Sequence, residues 1–188
     1  MGEIQDGIEE ALQATQTRPL PRSAQARVRV LLRAERGDTG AVARRLGVSR
    51  RTVQRYLTGQ IRRPGPRVAA ALEREARRSW QPGLRARAIR RAARLGITVE
   101  TRARFGFTAA PGSTDDPRLR RVTELLEPAA SGHLLAAYQG GAEEGELRRI
   151  LGEGLGFSYF RDHGRRAQGL DVEITDIDYL DLDLGGGA

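Results

Sequence analysis

Apolar positions recur at helical spacing through the first half of the chain. Ile4, Ile8, Ala11 and Leu12 mark one face of an amphipathic helix over residues 3–14. Pro19 and Pro21 break that pattern, and Ser23 is placed to cap a second helix that reaches Arg36 and ends at Gly37. Two short helices follow over 39–46 and 50–58. Residues 61–66 read as a turn, with Pro66 suited to the first position of a helix reaching Ser79. Pro82 restarts a helix that carries Arg85, Arg87, Arg90, Arg91 and Arg94 up to Gly96.

The period then changes from helical to alternating. Ile97, Val99, Thr101, Ala103, Phe105 and Phe107 alternate with Thr98, Glu100, Arg102, Arg104 and Gly106, which predicts a strand. Residues 109–116 read as a loop. Asp116-Pro117 reads as a helix start, followed by Leu119, Val122, Leu125 and Leu126 on one helical face. Further helices are predicted near 131–139 and 143–161. Leu170, Val172 and Ile174 form a second alternating stretch, before an acidic-aliphatic run over 176–184 and a frayed Gly185–Ala188 end. The two strands are natural partners, with Arg102 and Arg104 set to face Asp171 and Glu173. The expected fold is a mostly α N-terminal half with a small α+β C-terminal part holding a short antiparallel strand pair. The expected domains are 1–95 and 96–188.

Composition narrows the chemistry. The 188 residues include no cysteine and only His133 and His163, which excludes disulfides and cysteine zinc sites and disfavours a histidine metal centre. No apolar run approaches the ~20 residues that span a bilayer, and the acidic start at Glu3 is unlike a signal peptide. The expected location is cytoplasmic and nucleoid-associated, with no membrane partner. All 32 basic residues are arginine, as a GC-rich coding sequence favours. Their distribution is uneven: residues 1–110 hold 24 Arg against 9 acids, and residues 111–188 hold 8 against 15. A front half at +15 is matched to phosphate, and a back half at −7 is not.

Within the basic half, residues 39–58 have the pattern of a helix-turn-helix. Val42, Leu46, Val48 and Val53 supply the small core, Ala43 permits a close crossing, and Gly47 supplies the positive-φ turn. Ser49 caps the second helix and is placed to meet a phosphate there. Arg50, Arg51, Gln54 and Arg55 lie on its outer side, where Arg suits guanine and Gln suits adenine. Ser49, Arg50, Arg51, Gln54 and Arg55 are the candidate DNA-binding residues. Arg74, Arg77, Arg78 and the 85–94 arginines are either a phosphate-tracking face or a solvated surface.

Several stretches have no generic reason to recur together: Met1-Gly2-Glu3-Ile4-Gln5-Asp6-Gly7, Arg18-Pro19-Leu20-Pro21-Arg22-Ser23-Ala24, Trp80-Gln81-Pro82, Gly96 to Gly106, Thr114-Asp115-Asp116, and Gly164 to Leu170 with the acidic tail. Together with the helix-turn-helix, they resemble the telomere-associated terminal proteins of Streptomyces linear chromosomes and plasmids. The resemblance covers nearly the whole chain. It implies protein-primed DNA synthesis: a side-chain hydroxyl accepts the first nucleotide of the missing 5′ stretch, and the protein stays covalently attached to the DNA end. The acceptor it implies is Thr114. It also implies telomeric DNA, a DNA polymerase and a separate telomere-binding protein as partners.

The residues suit that chemistry. A priming hydroxyl must be accessible, and residues 109–117 are expected to form an exposed loop between a strand and a helix. A threonine hydroxyl is a poor nucleophile unless a base or metal activates it. Asp115 and Asp116 are the nearest groups able to approach a cation, and no base adjoins Thr114. The chain is therefore expected to bind no cofactor of its own and to be the acceptor rather than the enzyme, the polymerase supplying the divalent metal. Ser113 is the alternative acceptor. Tyr138, Tyr159 and Tyr179 are set aside because aromatic residues at such spacing are more often core, and neither histidine is given a catalytic task. Taken without the resemblance, Ser/Thr-Asp-Asp-Pro is ordinary helix-start chemistry. A helix-turn-helix transcriptional regulator with an α+β dimerisation part is the alternative function. A recombinase or transposase fragment is disfavoured, since no set of carboxylates for two metals is evident.

Overall fold

A capped helix followed by a glycine stop recurs through residues 16–83, and alternation dominates beyond residue 96. The computed structural model of the chain describes residues 2–109, 113–167 and 169–185, with 108–109 and 113–116 described by backbone alone. Two units emerge. Gln16–Gly83 forms one, and Met1–Thr15 with Leu84–Ala188 forms the other.

In the helical unit, α2 (Ala24–Ala34) is capped by Ser23, whose Oγ accepts from the Ala26 amide at 3.2 Å. Then come α3 (Thr39–Leu46), α4 (Arg50–Leu57) and α5 (Pro66–Ser79), the last with proline in its first turn. Their apolar faces meet in one core of Val28, Leu31, Val42, Ala43, Leu46, Val53, Tyr56 and Leu72. The proline-rich entry is pinned in place: Trp80 Nε1 donates to the Arg18 carbonyl, and the Gln81 side chain bonds to Thr17.

The sheet unit contains α1 (Glu3–Ala14), α6 (Pro82–Leu95), β1 (Ile97–Ala109), β2 (Ser113–Leu126), α7 (Pro128–Gly140), α8 (Glu144–Leu155) and β3 (Asp171–Asp183). A π-helical turn, Gly156–Phe160, extends α8. The strands form an antiparallel sheet in the order β2-β1-β3. Ile97, Val99, Ala103 and Phe105 of β1 face the core with Val122 and Leu126 of β2 and Ile174, Ile177 and Leu182 of β3. Ile4, Ile8 and Leu12 of α1, Leu134 and Leu135 of α7, and Leu147, Ile150, Leu151 and Leu155 of α8 close that core.

The α+β class holds, with three long strands in place of a short pair. The helix expected after Asp116-Pro117 is instead β2. Val122 and Leu126, four apart, share a face in a strand as in a helix, so their spacing does not discriminate. Leu119 and Leu125 settle it: they lie on the opposite, open face, 41% and 51% exposed. Pro117 sits on an edge strand beside Gly106, where the β1–β2 register shifts, and a missing amide is tolerated there. The expected 109–117 loop narrows accordingly. Ala109 pairs with Ser113, and residues 110–112 lie outside the described residues, as do Gly186–Ala188 of the frayed end.

The charged pairing across β1 and β3 is shifted. Arg102 and Arg104 stand opposite Tyr179 and Asp176, and Arg102 pairs with Asp178 at 3.2 Å. Glu173 and Asp171 face Gly106 and Thr108, because two bulges offset β3.

A division after residue 95 does not match the two units. The N-terminal helix packs with the sheet, and Glu144 of α8 caps it by accepting from the Ile4 and Gln5 amides at 2.7 and 3.2 Å. The helical unit is thus an insertion between α1 and α6.

Candidate nucleic-acid interface

The α3–α4 hairpin is assembled from local devices. Asp38 caps α3, its Oδ1 accepting from the Gly40 and Ala41 amides at 2.7 and 3.1 Å. Those two amides, Ala41 first, hold its carboxyl below the usual carboxylate range. Gly47 ends α3 in the left-handed region at φ 61°, where any side chain is strained. Ser49 caps α4, accepting from the Thr52 amide at 3.1 Å. Val53 and Tyr56 of α4 are buried, and burial pushes the Tyr56 hydroxyl up.

Around the hairpin, α2 and α5 act as a frame. Gln25 Nε2 donates to the Leu57 carbonyl at 2.7 Å, holding the end of α4. Arg67 donates to the Gly47 carbonyl at 3.3 Å, bracing the turn. Arg45 gathers Glu35 at 2.8 Å, Glu75 at 2.9 Å and the Ser79 hydroxyl at 3.1 Å, tying α3 to both neighbours.

What this frame presents is a basic face. Arg51, Gln54 and Arg55 are exposed on α4. Arg50, also exposed, lays its guanidinium across Gly40, where a Cβ would come within 2.6 Å of it. The candidate contact residues therefore fall into a cap at Ser49, a side chain folded against α3 at Arg50, and an outward trio. Residues 16–83 hold 17 arginines against four acids, Glu35, Asp38, Glu73 and Glu75, a net of +13. The sheet unit holds 15 against 20, a net of −5. All four acids of the helical unit are engaged: Asp38 caps α3, Glu35 binds Arg45, Glu73 binds Arg27 and Arg77, and Glu75 binds Arg45 and Arg74.

A helix-turn-helix family profile matches residues 31–80. Those residues are a DNA-binding helix-turn-helix domain. No curated protein and no solved structure matches the chain. The sheet unit falls outside the matched region, so its role rests on its own residues.

The acceptor candidates belong to the sheet unit. Ser113 and Thr114 are the first two residues of β2, paired in register with Ala109 and Thr108. Their side chains, with those of Asp115 and Asp116, lie outside the described residues. Tyr138 is half-buried and donates to Glu9 at 2.8 Å. Burial first, then the adjacent Glu9 carboxylate, pushes its hydroxyl up to about 12. Tyr159 and Tyr179 are not core, each being 37% exposed, so core packing is not what separates them from Thr114. Tyr179 instead donates to Glu100 at 2.8 Å. His133 is exposed, and His163 pairs with Glu127 at 2.8 Å. No group of three potential metal ligands occurs among the described residues, and no described helix is long and apolar enough to cross a membrane.

Two features escaped the sequence. The Asp38 cap was legible in principle, as an aspartate just before a helical run. The Glu9–Arg85–Tyr138 cluster was not, because its members are far apart in the chain and only α1 packing with the sheet unit joins them.

Proposed function

We propose that this protein is a terminal protein of a linear replicon, which binds DNA through α3 and α4 and offers the Thr114 hydroxyl as the primer for end synthesis. The observation that carries the DNA-binding part is the exposed Arg51, Gln54 and Arg55 trio on α4 of a matched helix-turn-helix. The acceptor role is supported by the family resemblance and by the place of Thr114 as the second residue of β2, next to the β1–β2 connection. In this reaction the Thr114 oxygen attacks the α-phosphorus of a deoxynucleoside triphosphate, a phosphoester bond forms, and pyrophosphate leaves. The hydroxyl proton passes to the polymerase site, whose divalent ions stabilise the attacking and leaving oxygens. The chain contributes the nucleophile and its delivery. A telomere-binding protein and the polymerase are the partners this role requires.

Mass spectrometry of protein from its native cells after exhaustive nuclease digestion tests the proposal. A nucleotide on the peptide containing Thr114 is the expected result, and its loss in Thr114→Val, with retention in Ser113→Ala, fixes the site. Attachment at Ser113 or a tyrosine keeps the function and moves the acceptor. Unmodified protein recovered from DNA ends, with tight binding to internal duplex operators, overturns the proposal in favour of a transcriptional regulator.

A further inference from the structure

The arginines of the helical unit include a second exposed group, at the end of α2. Helix α2 contains no acidic residue. Its Arg27 bonds to Glu73 and to the Pro21 carbonyl. Arg29, Arg33 and Arg36 do not share in this pairing. All three are exposed, and they line one shallow groove with Leu32 and Gly37. None of them forms an ion pair among the described residues, since the unit's four carboxylates are engaged elsewhere. Arg29 and Arg33 are one turn apart on α2 and Arg36 lies just beyond its end, so the groove gathers three like charges that favour a polyanion.

A second observation concerns the backbone. Helix α2 ends with the Gly37 amide bonded to the Leu32 carbonyl, and Arg36 occupies the left-handed position at φ 51°. Glycine or asparagine is ordinarily found there, because a Cβ crowds the backbone in that conformation. The residue at this strained place is an arginine, beside Arg33 in the same groove.

We propose that Arg29, Arg33 and Arg36 form a second DNA contact, which tracks the phosphate backbone of a duplex and reads no bases. It adds sequence-independent affinity to that of α4. The proposal rests on the reading of this chain as a DNA-binding protein.

The test is fluorescence anisotropy of the full chain on a duplex of arbitrary sequence over a salt series. Each lost phosphate contact flattens the log–log salt slope by roughly 0.9. Arg29→Gln/Arg33→Gln/Arg36→Gln is expected to flatten it by about 2–3. Arg36→Gly alone is expected to raise the melting temperature while flattening the slope by about 1, a combination that damage to the fold does not produce. A wild-type slope that survives the triple substitution overturns the stripe and leaves DNA binding by α4 intact. Wild-type protein without salt-dependent DNA binding overturns both readings. Loss of self-association in the triple variant, with the slope unchanged, assigns the groove to an acidic protein face and also overturns the proposal.

Discussion

In the helical unit, Arg45 and Arg77 meet Glu35, Glu73 and Glu75 on a partly solvated surface around a core made by four short helices. In the sheet unit, Glu9 and Arg85 meet at 2.6 Å with side chains only 9% and 11% exposed, and Tyr138 closes the group. The first arrangement leaves a surplus of arginine in water, available to a polyanion. The second uses its charges to join α1, α6 and α7. The helical unit thus keeps most of its arginines on its surface, whereas the sheet unit, beside its own surface pairs, also buries one arginine to position three helices.

The strongest way to break this contrast is at the buried pair. Arg85→Ala leaves Glu9 in a dry site and is expected to cost about 3–5 kcal/mol in the stability of the sheet unit. Urea unfolding followed by near-ultraviolet signals checks this, and a loss below about 1 kcal/mol would show that the pair is solvated in practice. The same cluster predicts a pH effect. The Tyr138 hydroxyl is raised in the folded state, so it contributes stability below the ordinary phenol range, and that contribution is lost as pH climbs toward about 12. Spectrophotometric titration of wild type against Tyr138→Phe is expected to remove the last-ionising tyrosine.

Next in size is the helical core. Leu31→Ala, at a fully buried position, is expected to cost about 2–5 kcal/mol and to weaken DNA binding only through unfolding. Circular dichroism melts alongside binding at low temperature separate the two. Ser49→Ala removes a cap and is expected to cost about 1 kcal/mol, measured by denaturant midpoint. Asp38 has its carboxyl lowered, so its capping contribution is present above the ordinary carboxylate range and fades as pH falls through its folded-state value. Arg121→Gln, whose bond to Glu100 lies on the open sheet face with the Arg121 side chain 71% exposed, is expected to leave stability unchanged. A measurable loss there would place part of the sheet unit's charge economy on its surface.

How legible these units were depends on whether the determining contacts are local. The hairpin of α3 and α4 was readable because Gly47, Ser49 and the Val42–Leu46–Val53 spacing act within a few residues of one another. β1 was readable because strict alternation over 97–107 matches a half-buried strand. β2 was not, since Val122 and Leu126 satisfy both periods and Asp116-Pro117 mimics a helix start. Pairing with β1, a long-range interaction, overrides that local signal. The attachment of α1 to the sheet unit was likewise hidden. An apolar stripe at Ile4, Ile8 and Leu12 says that a face is buried and not which partner buries it. Among the contact candidates, the cap at Ser49 was visible in sequence, whereas the turn of Arg50 toward Gly40 depends on how two helices cross.

The insertion of the helical unit between α1 and α6 has a consequence for biosynthesis. Residues 16–83 can complete their core as soon as they leave the ribosome, while α1, made before them, must wait for β3, made well after them. During that interval Ile4, Ile8 and Leu12 lack part of their native cover, so a segment made before the helical unit is protected after it. A nascent protein stalled before residue 171 would already carry a finished DNA-binding domain while the apolar face of α1 still lacked β3.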